Sequence, residues 1–406
     1  MSVKIIHTAD WHIGKKLHEY SLNEDHRMFM DWLMQLIEEE KIDYLLISGD
    51  VFDLANPSQE SLAIYYRFLA KLSTTDCKAI ITAGNHDSPK LIDAPSELLN
   101  ALEIKVIGNV PADISELLIP LKDKSGKTIA AIAAVPYLLD RDIRKAIEGE
   151  SYDDRVQAVR LGIQNFYARI GEVLRKAYSG MLHLAMGHLY VQGVVISDSE
   201  RQIQIGNLAG VDASMFPSGI HYVALGHIHK AQNVGSDRIR YSGSPIPLSF
   251  SEKKYDHRVI LLELDGDTIE QKDIPVKKFR ELVGLNGTIR EVREKAMQLK
   301  NEYPLPILVD LQIEEDEFNP QMHELLDELL AEIHASKNAE VIHRSITYKN
   351  SPLRVLNPSS GEFDRNELTP EKIFKKLISG RELEEQDKLM QLFFEIKQEA
   401  EEKGSK

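Results

Sequence analysis

The chain has one cysteine in 406 residues, Cys77. A single thiol excludes an internal disulfide framework and any cysteine-built zinc site, and it fits a reducing cytoplasm. Cys77 itself reads as a small buried side chain near the start of a strand. Long apolar runs are also missing. No window approaches eighteen unbroken apolar residues, and the N-terminus enters a strand-like run at residues 3–7 in place of a charged segment followed by an apolar signal core. The expectation is a cytoplasmic chain with no membrane span. Basic residues are in deficit: 49 Lys and Arg stand against 64 Asp and Glu, for a net charge of −15. That balance argues against a chain that coats nucleic acid by itself through a broad basic face, so any grip on a polyanion must be local, metal-assisted or shared with a partner. Internal repeats and low-complexity tracts are absent too.

What remains is the composition of a globular protein, 43% hydrophobic and 28% charged, long enough for two or three domains. Short apolar runs alternate with helical periodicity, the pattern of α/β architecture. Strands are expected at 3–7, 44–48, 79–82, 182–186, 222–225, 238–241 and 258–264, with a hairpin formed by 118–121 and 128–135 that makes the sheet mixed. Between the first strands, Phe29, Trp32, Leu33, Leu36 and Ile37 recur at helical spacing, and a long helix is expected at about 153–178. Near residue 270 the glycine- and histidine-punctuated pattern gives way to charged helices. The expected organisation is a catalytic domain at 1–270, a small α+β domain at 271–350, a linker at 351–368 and C-terminal helices at 369–406.

Five polar clusters each follow one of the apolar strands: Asp10-Trp11-His12, Gly49-Asp50 with Asp53, Gly84-Asn85-His86-Asp87, Gly187-His188, and Gly226-His227-Ile228-His229. Strand ends of this kind open into a common crevice where side chains converge. The glycines before Asp50, Asn85, His188 and His227 suit tight exits from a strand, where a Cβ would crowd the backbone. Carboxylates, imidazoles and an amide oxygen without any thiolate form the donor set of a pair of divalent cations, Mn²⁺ first, with Fe²⁺ and Mg²⁺ behind it. Two cations about 3.5–4 Å apart need a bridging carboxylate, and Asp50 in the central cluster is the natural bridge. His7, His183 and His221, inside apolar runs, read as core or supporting groups; His18, His26 and His257 read as surface or substrate-side groups.

At these residues the sequence resembles the calcineurin-like metallophosphoesterase superfamily, whose pattern runs Asp-x-His, Gly-Asp-x-x-Asp, Gly-Asn-His-Asp/Glu, His, Gly-His-x-His. All five elements occur in order. The resemblance implies an α/β fold, a double β-sheet sandwich flanked by helices, followed by a small α+β capping domain and C-terminal helices. It also implies two metals, one held by Asp10, His12, Asp50 and His229, the other by Asp50, Asn85, His188 and His227. His86 is then the group that meets the substrate phosphate and protonates the leaving oxygen, and Asp53 the acid that orients it.

The longer strings His7-Thr8-Ala9-Asp10-Trp11-His12-Ile13-Gly14 and Tyr241-Ser242-Gly243-Ser244-Pro245 look like the bacterial branch of DNA double-strand-break repair nucleases. Archaeal and eukaryotic relatives carry a histidine where this chain has Asp53. The branch implies an ABC-type ATPase partner with a long coiled coil, in an assembly of two nuclease and two ATPase subunits containing a nuclease homodimer. It implies ATP-dependent 3′–5′ exonuclease activity on duplex DNA and endonuclease activity on single strands and hairpins, in repair, replication and recombination. Lys15, Lys16, Lys90, Lys253 and Lys254 are candidate phosphate contacts near the rim. The tail at 369–402, with its two short amphipathic faces, is expected to dock on the ATPase. Two rival classes are a small-molecule or protein phosphatase built on the same metals, and a non-catalytic scaffold.

Overall fold

A computed structural model describes residues 2–144, 150–197, 200 and 210–349, with positions 374, 378, 386, 388–390, 392 and 393 beyond them. The described residues divide into two compact units. The first takes those up to 283 together with 300–309 and 338–342; the second takes 284–299, 310–337 and those from 343 onward.

The first unit is built on two six-stranded sheets. One has the order Thr268–Pro275, Arg258–Asp265, Val3–Thr8, Tyr44–Ser48, Lys78–Thr82, Ile104–Ile107. Its last four strands run parallel, and Arg258–Asp265 joins Val3–Thr8 antiparallel. The other has the order Gln232–Val234, Ser236–Tyr241, Tyr222–Gly226, Leu182–His188, Thr128–Ala133, Leu118–Lys122. It is parallel through its middle and closed at one edge by the expected antiparallel hairpin.

Because strand side chains alternate between faces, each sheet buries two sets of residues. Ile5, Tyr44, Leu46 and Ile80 pack against Ile132, Leu184, Met186 and Tyr222, so the sheets lie face to face around a common apolar layer. The opposite face of the first sheet, with Ile6, Leu45, Ile47 and Ile81, meets the helices Asn23–Glu40 and Gln59–Leu72. The outer face of the second sheet, with Ala185, Val223 and Leu225, meets Val159, Ile163, Tyr167 and Ile170 on the helix Tyr152–Ala177. Fully burying each large apolar side chain contributes about 1.5–3 kcal/mol, and these two-sided cores explain why the strands read as continuous apolar runs.

Three strands of the two six-stranded sheets escaped the sequence reading: Ile104–Ile107, Gln232–Val234 and Thr268–Pro275. They are short or alternately exposed, and all three lie at or next to a sheet edge. Thr268–Pro275 runs through the boundary near 270 that composition suggested.

In the second unit the helices Ile289–Met297 and Met322–Ser336 are joined by Arg293, which pairs with Glu328 at 3.3 Å and Glu332 at 3.4 Å. The strands Leu282–Gly287, Ile307–Glu315 and Ala339–Tyr348 form a three-stranded sheet, of which 284–287, 310–315 and 343–348 belong to this unit, and they give the strand, helix, strand, helix, strand order read from the sequence. The linker at 351–368 lies outside the described residues, as does most of 369–406. Among the described tail positions, the Phe374 and Phe393 rings stack with centroids 4.6 Å apart, and Ile378 is buried. No helix among the described residues is long and apolar enough to cross a membrane.

Candidate metal centre

The parallel strands all release their chains at one edge. Val3–Thr8 leads to Asp10 and His12, Tyr44–Ser48 to Asp50, Lys78–Thr82 to Asn85 and His86, Leu182–His188 ends on His188, and Tyr222–Gly226 leads to His227 and His229. Asp10, His12, Asp50, His86, His188, His227 and His229 are all buried; Asn85 is half-buried. The exits are strained. Asp10, His12, Asp50 and His227 have φ of 54°, 47°, 51° and 100°, in the left-handed region that non-glycine residues enter at a cost of about 1–3 kcal/mol each.

Main-chain and side-chain ties hold these conformations. Asp10 N donates to Gly49 O and His12 N to Asp50 O, clipping the first loop to the second. The buried Asp87 carboxylate accepts from the backbone of Val51, Phe52 and Gly84 at 2.8–3.1 Å, clipping the second loop to the third. His227 N donates to Asp10 Oδ1 at 2.8 Å, which joins the two sheets. The approach is close enough that a Cβ at Gly84 would fall on the Asp50 carboxylate, and one at Gly49, where φ is +85°, on the His188 ring.

The side chains then converge. Asp10, His12 and His229 bring one ligand atom each within 4.8 Å of one another, as do Asp10, Asp50 and His188, and also His12, Asp50 and His86. His188 Nδ1 faces the Ser48 carbonyl at 3.0 Å, and its Nε2 lies 3.0 Å from Asn85 Oδ1 and 3.3 Å from Asp50 Oδ2. His229 Nδ1 lies 2.8 Å from Glu252 Oε1, which leaves its Nε2 at 3.2 Å from His12 Nε2. Nδ1 of His12 in turn is 3.3 Å from Asp53 Oδ1. The outer Nδ1 atoms of His188 and His229 thus face oxygens, while their Nε2 atoms turn inward toward Asp50, Asn85 and His12.

Electrostatics carry the same message. Burial pushes the Asp10 carboxyl up to about 7, against the pull of His188 and His229. Burial also opposes charge on Asp50, but the His188, His12 and His86 imidazoles outweigh it and hold Asp50 well below the usual range. His188 is raised to about 9, burial being overcome by Asp50 and Asp10. His12 is lowered to about 4 by burial, and His227 well below its ordinary value by burial and by His188. A buried cluster in which one imidazole must be protonated to relieve the carboxylates is short of positive charge.

Of the seven residues proposed as ligands from the sequence, Asp10, His12, Asp50, His188 and His229 share clusters of ligand atoms and Asn85 Oδ1 touches His188, whereas His227 belongs to none of those clusters. His227 enters through its backbone and through its ring, 5.5 Å from that of His188. The pairing of Asp53 with His86 takes a different form from the one expected. His86 Nδ1 meets the main-chain carbonyl of Asp53 at 2.8 Å, whereas the Asp53 carboxylate faces His12 and Lys15 Nζ, the latter at 3.2 Å. The loop after Phe52 turns the carbonyl inward, and the side chain, held well below its usual pKa by His12 and Lys15 against the effect of burial, swings to the cations. Lys15, read as a phosphate contact, is therefore engaged by Asp53.

Four residues were missed or misplaced. Glu252 is fully buried and also accepts from Leu248 N at 2.8 Å and Ser197 Oγ at 3.0 Å; together with His229 it makes a carboxylate–histidine pair of the kind that orients metal ligands. Glu200 accepts from His229 N at 2.8 Å. Neither carries a local signal, since each sits among charged neighbours in sequence. His26, read as a surface or substrate-side group, is fully buried and meets the Trp11 carbonyl at 2.6 Å between Asp10 and His12. Its position on the inner face of Asn23–Glu40, three residues before Phe29, was the available clue. His221 does the reverse: read as a core or supporting group, it is exposed, because it precedes the strand Tyr222–Gly226, and its Nδ1 accepts from His183 N at 3.0 Å.

Buried Asp10 Oδ2 and His227 Nε2 have no hydrogen-bond partner among the described residues, so the site contains acceptors that only a cation or a proton can satisfy. Together with the oxygen and imidazole donor set, this fits divalent metal ions. Comparison with known proteins agrees. Residues 3–231 match the family model of calcineurin-like phosphoesterases. The SbcD subunit of the nuclease SbcCD from Escherichia coli K12 is 30% identical over 402 residues, covering 96% of this chain and 97% of the relative. The same subunit from Rhodobacter capsulatus is 38% identical over 276 residues, 65% of this chain and 67% of the relative, and that from Bacillus subtilis 30% over 272 residues, 64% and 66%. A chain that carries the full donor set at one sandwich edge and aligns along almost its whole length with such a subunit belongs to the calcineurin-like phosphoesterase family, among the SbcD nuclease subunits.

Proposed function

We propose that this chain is the DNA-cleaving subunit of a cytoplasmic SbcCD-type complex, a phosphodiesterase working with two divalent ions, Mn²⁺ before Fe²⁺ or Mg²⁺. The observation that carries the reading is the convergence of imidazole, carboxylate and amide groups from five strand ends on a buried site, where Asp10 Oδ2 and His227 Nε2 have no hydrogen-bond partner among the described residues. Asp10, His12, Asp50 and His229 would hold one ion, and Asp50, Asn85, His188 and His227 the other. Such ions supply a nucleophile at neutral pH and neutralise charge on a phosphodiester. The chain does the rest. His86 donates its Nδ1 proton to the Asp53 carbonyl, a contact compatible with the imidazolium, so Nε2 can carry a second proton to the leaving oxygen. Asp50 Oδ2 lies 4.0 Å from that Nε2.

The relatives' name, which describes one component of a two-component nuclease, supports a partner of the SbcC type, an ABC ATPase with a coiled coil, in a two-plus-two assembly containing a nuclease homodimer. The stacked Phe374 and Phe393 support a helical hairpin in the tail as the docking element. A chain truncated after Ser351 is expected to retain divalent-dependent cleavage and to lose co-purification with the ATPase. The central test measures bound metal by mass spectrometry and cleavage of a linear duplex and a hairpin with Mn²⁺, with and without the ATPase. Two equivalents per chain and diester cleavage are expected. A preference for phosphomonoesters over DNA would instead favour a phosphatase.

A further inference from the structure

Beside the metal centre, a cavity of about 580 Å³ opens within the first unit. It is joined to that centre by one short turn, Phe250–Lys254. Glu252 of the turn points inward to His229, while Lys253 and Lys254 line the cavity. Lys277 and Lys278 also line it, and apolar surface comes from Ile246, Pro247, Tyr255 and Val276.

The charges here are unbalanced in one direction. Each lining carboxylate is matched by an arginine: Asp25 by Arg280 at 2.6 Å, Asp273 by Arg240 at 2.7 Å and by Arg258, and Asp256 by Arg258 at 3.7 Å. Lys278 pairs with Glu281 at 3.3 Å. Lys253, Lys254 and Lys277 are exposed, and no ion pair among the described residues engages them. Lys230, adjacent to His229 in sequence, places its ammonium 5.7 Å from the centroid of the Tyr255 ring at the cavity wall. On a chain of net charge −15, a track of uncompensated lysines that leads from a metal ligand into an apolar-walled cavity is a local exception. The volume lies within the range of small-ligand sites, about 300–1,000 Å³. Ammonium groups over an apolar and aromatic wall match a ligand with a phosphate and a flat body, which is a nucleotide.

We propose that this cavity holds a nucleotide of the DNA strand next to the cut, its phosphates on Lys253, Lys254 and Lys277 and its base or sugar against Tyr255 and Pro247. The assignment rests on the nuclease reading above. It gives the chain a strand-tracking subsite of its own, independent of the ATPase, and separates these lysines from Lys15, which is held by Asp53, and Lys16, which lies 3.7 Å from Glu19.

The test uses the full chain with EDTA and a fluorescent single-stranded 12-mer, whose binding is followed by anisotropy across a salt series. Each phosphate contact on a single strand adds about 0.7 to the slope of log affinity against log salt, so K253Q/K254Q/K277Q should bind more weakly with a slope smaller by about 2. The lysines are exposed, and the variant's melting temperature and Mn²⁺ stoichiometry should match the parent. Equal affinity and slope in the variant overturn the proposal, as does failure of the parent to bind the 12-mer at low salt. Loss of binding confined to a free 5′-mononucleotide, with the 12-mer unaffected, also overturns it in favour of an effector site. Cleavage of DNA by the parent with Mn²⁺ is measured separately: its absence would sink the nuclease reading, whereas normal cleavage with unchanged 12-mer binding in the variant would sink only the cavity.

Discussion

On the side of Asp10, His12 and His229, the outer ring nitrogens meet carboxylates, Asp53 at 3.3 Å from His12 and Glu252 at 2.8 Å from His229. On the side of His188 and Asn85, the outer nitrogen of His188 meets a main-chain carbonyl, Ser48, at 3.0 Å. A carbonyl fixes the orientation of a ring and no side-chain substitution removes it. A carboxylate also raises the basicity of the ring and exposes the ligand to mutation at a distance. The burial of Glu252 and its effect on His229, whose pKa is raised by that carboxylate against the effect of burial, show how far this second influence reaches. One half of the centre is therefore tunable through residues outside it, and the other is built into the sheet.

The largest effect should come from the residue both halves share. Asp50→Asn removes the charge that faces His12 and His188 together. Both ions should be weakened and cleavage should fall by more than about 10³-fold, beyond the cost of a single catalytic donor. Full metal occupancy at a near-normal rate would show that the halves do not meet at Asp50. His86→Ala comes next. General acid catalysis is worth about 10²–10⁴-fold, and a loss in that range with two metals retained is expected. Because His86 also lies within ligand distance of His12 and Asp50, loss of one metal equivalent would move it into the coordination set.

Glu252→Gln sharpens the contrast. Removing a carboxylate behind a metal-binding histidine costs about 10–100-fold in affinity, and the cost should fall on one ion only in a two-site Mn²⁺ titration. Asp53→Asn should act on the same ion, through His12, while the His86 contact survives because it uses the backbone. If the two variants weakened different ions, or if Asp53→Asn affected only proton transfer, the carboxylate-braced half would not be a unit. Combining them tests additivity directly.

The smallest effect is on stability against pH in EDTA. His188 is raised to about 9 from an ordinary value near 6.5, so the folded state holds more protons than the unfolded state across that window. Its contribution is complete below about 6.5 and lost as pH rises to about 9. Asp10, raised to about 7, acts in the same direction from about 4 upward, while His12, lowered to about 4, destabilises only as pH falls below 6.5. Between pH 7 and 9 the melting temperature should decline in EDTA and flatten with Mn²⁺, since the ion replaces the proton. A flat profile in EDTA would mean that His188 is not the group that relieves Asp50.

Much of this was legible in the residues themselves. Runs such as Tyr44-Leu-Leu-Ile-Ser read as strands buried on two faces, and a polar cluster at the end of each of five such runs marks the candidate ligands before the fold is known. The donor types follow from local sequence, which determines the atoms a loop can offer, whereas the division of those residues between two ions came from the resemblance to the phosphoesterase family. What only the tertiary structure decided is what stands behind those atoms. Glu252 reaches His229 across 23 residues and His26 reaches the Trp11 carbonyl across 15, and no periodicity links either pair. Asp53 is the sharper case: its position in the motif is plain in sequence, yet its carbonyl turns to His86 and its carboxylate to His12 and Lys15. A motif specifies a residue; which of its polar groups faces inward depends on the turn that carries it and on the charges other segments bring alongside.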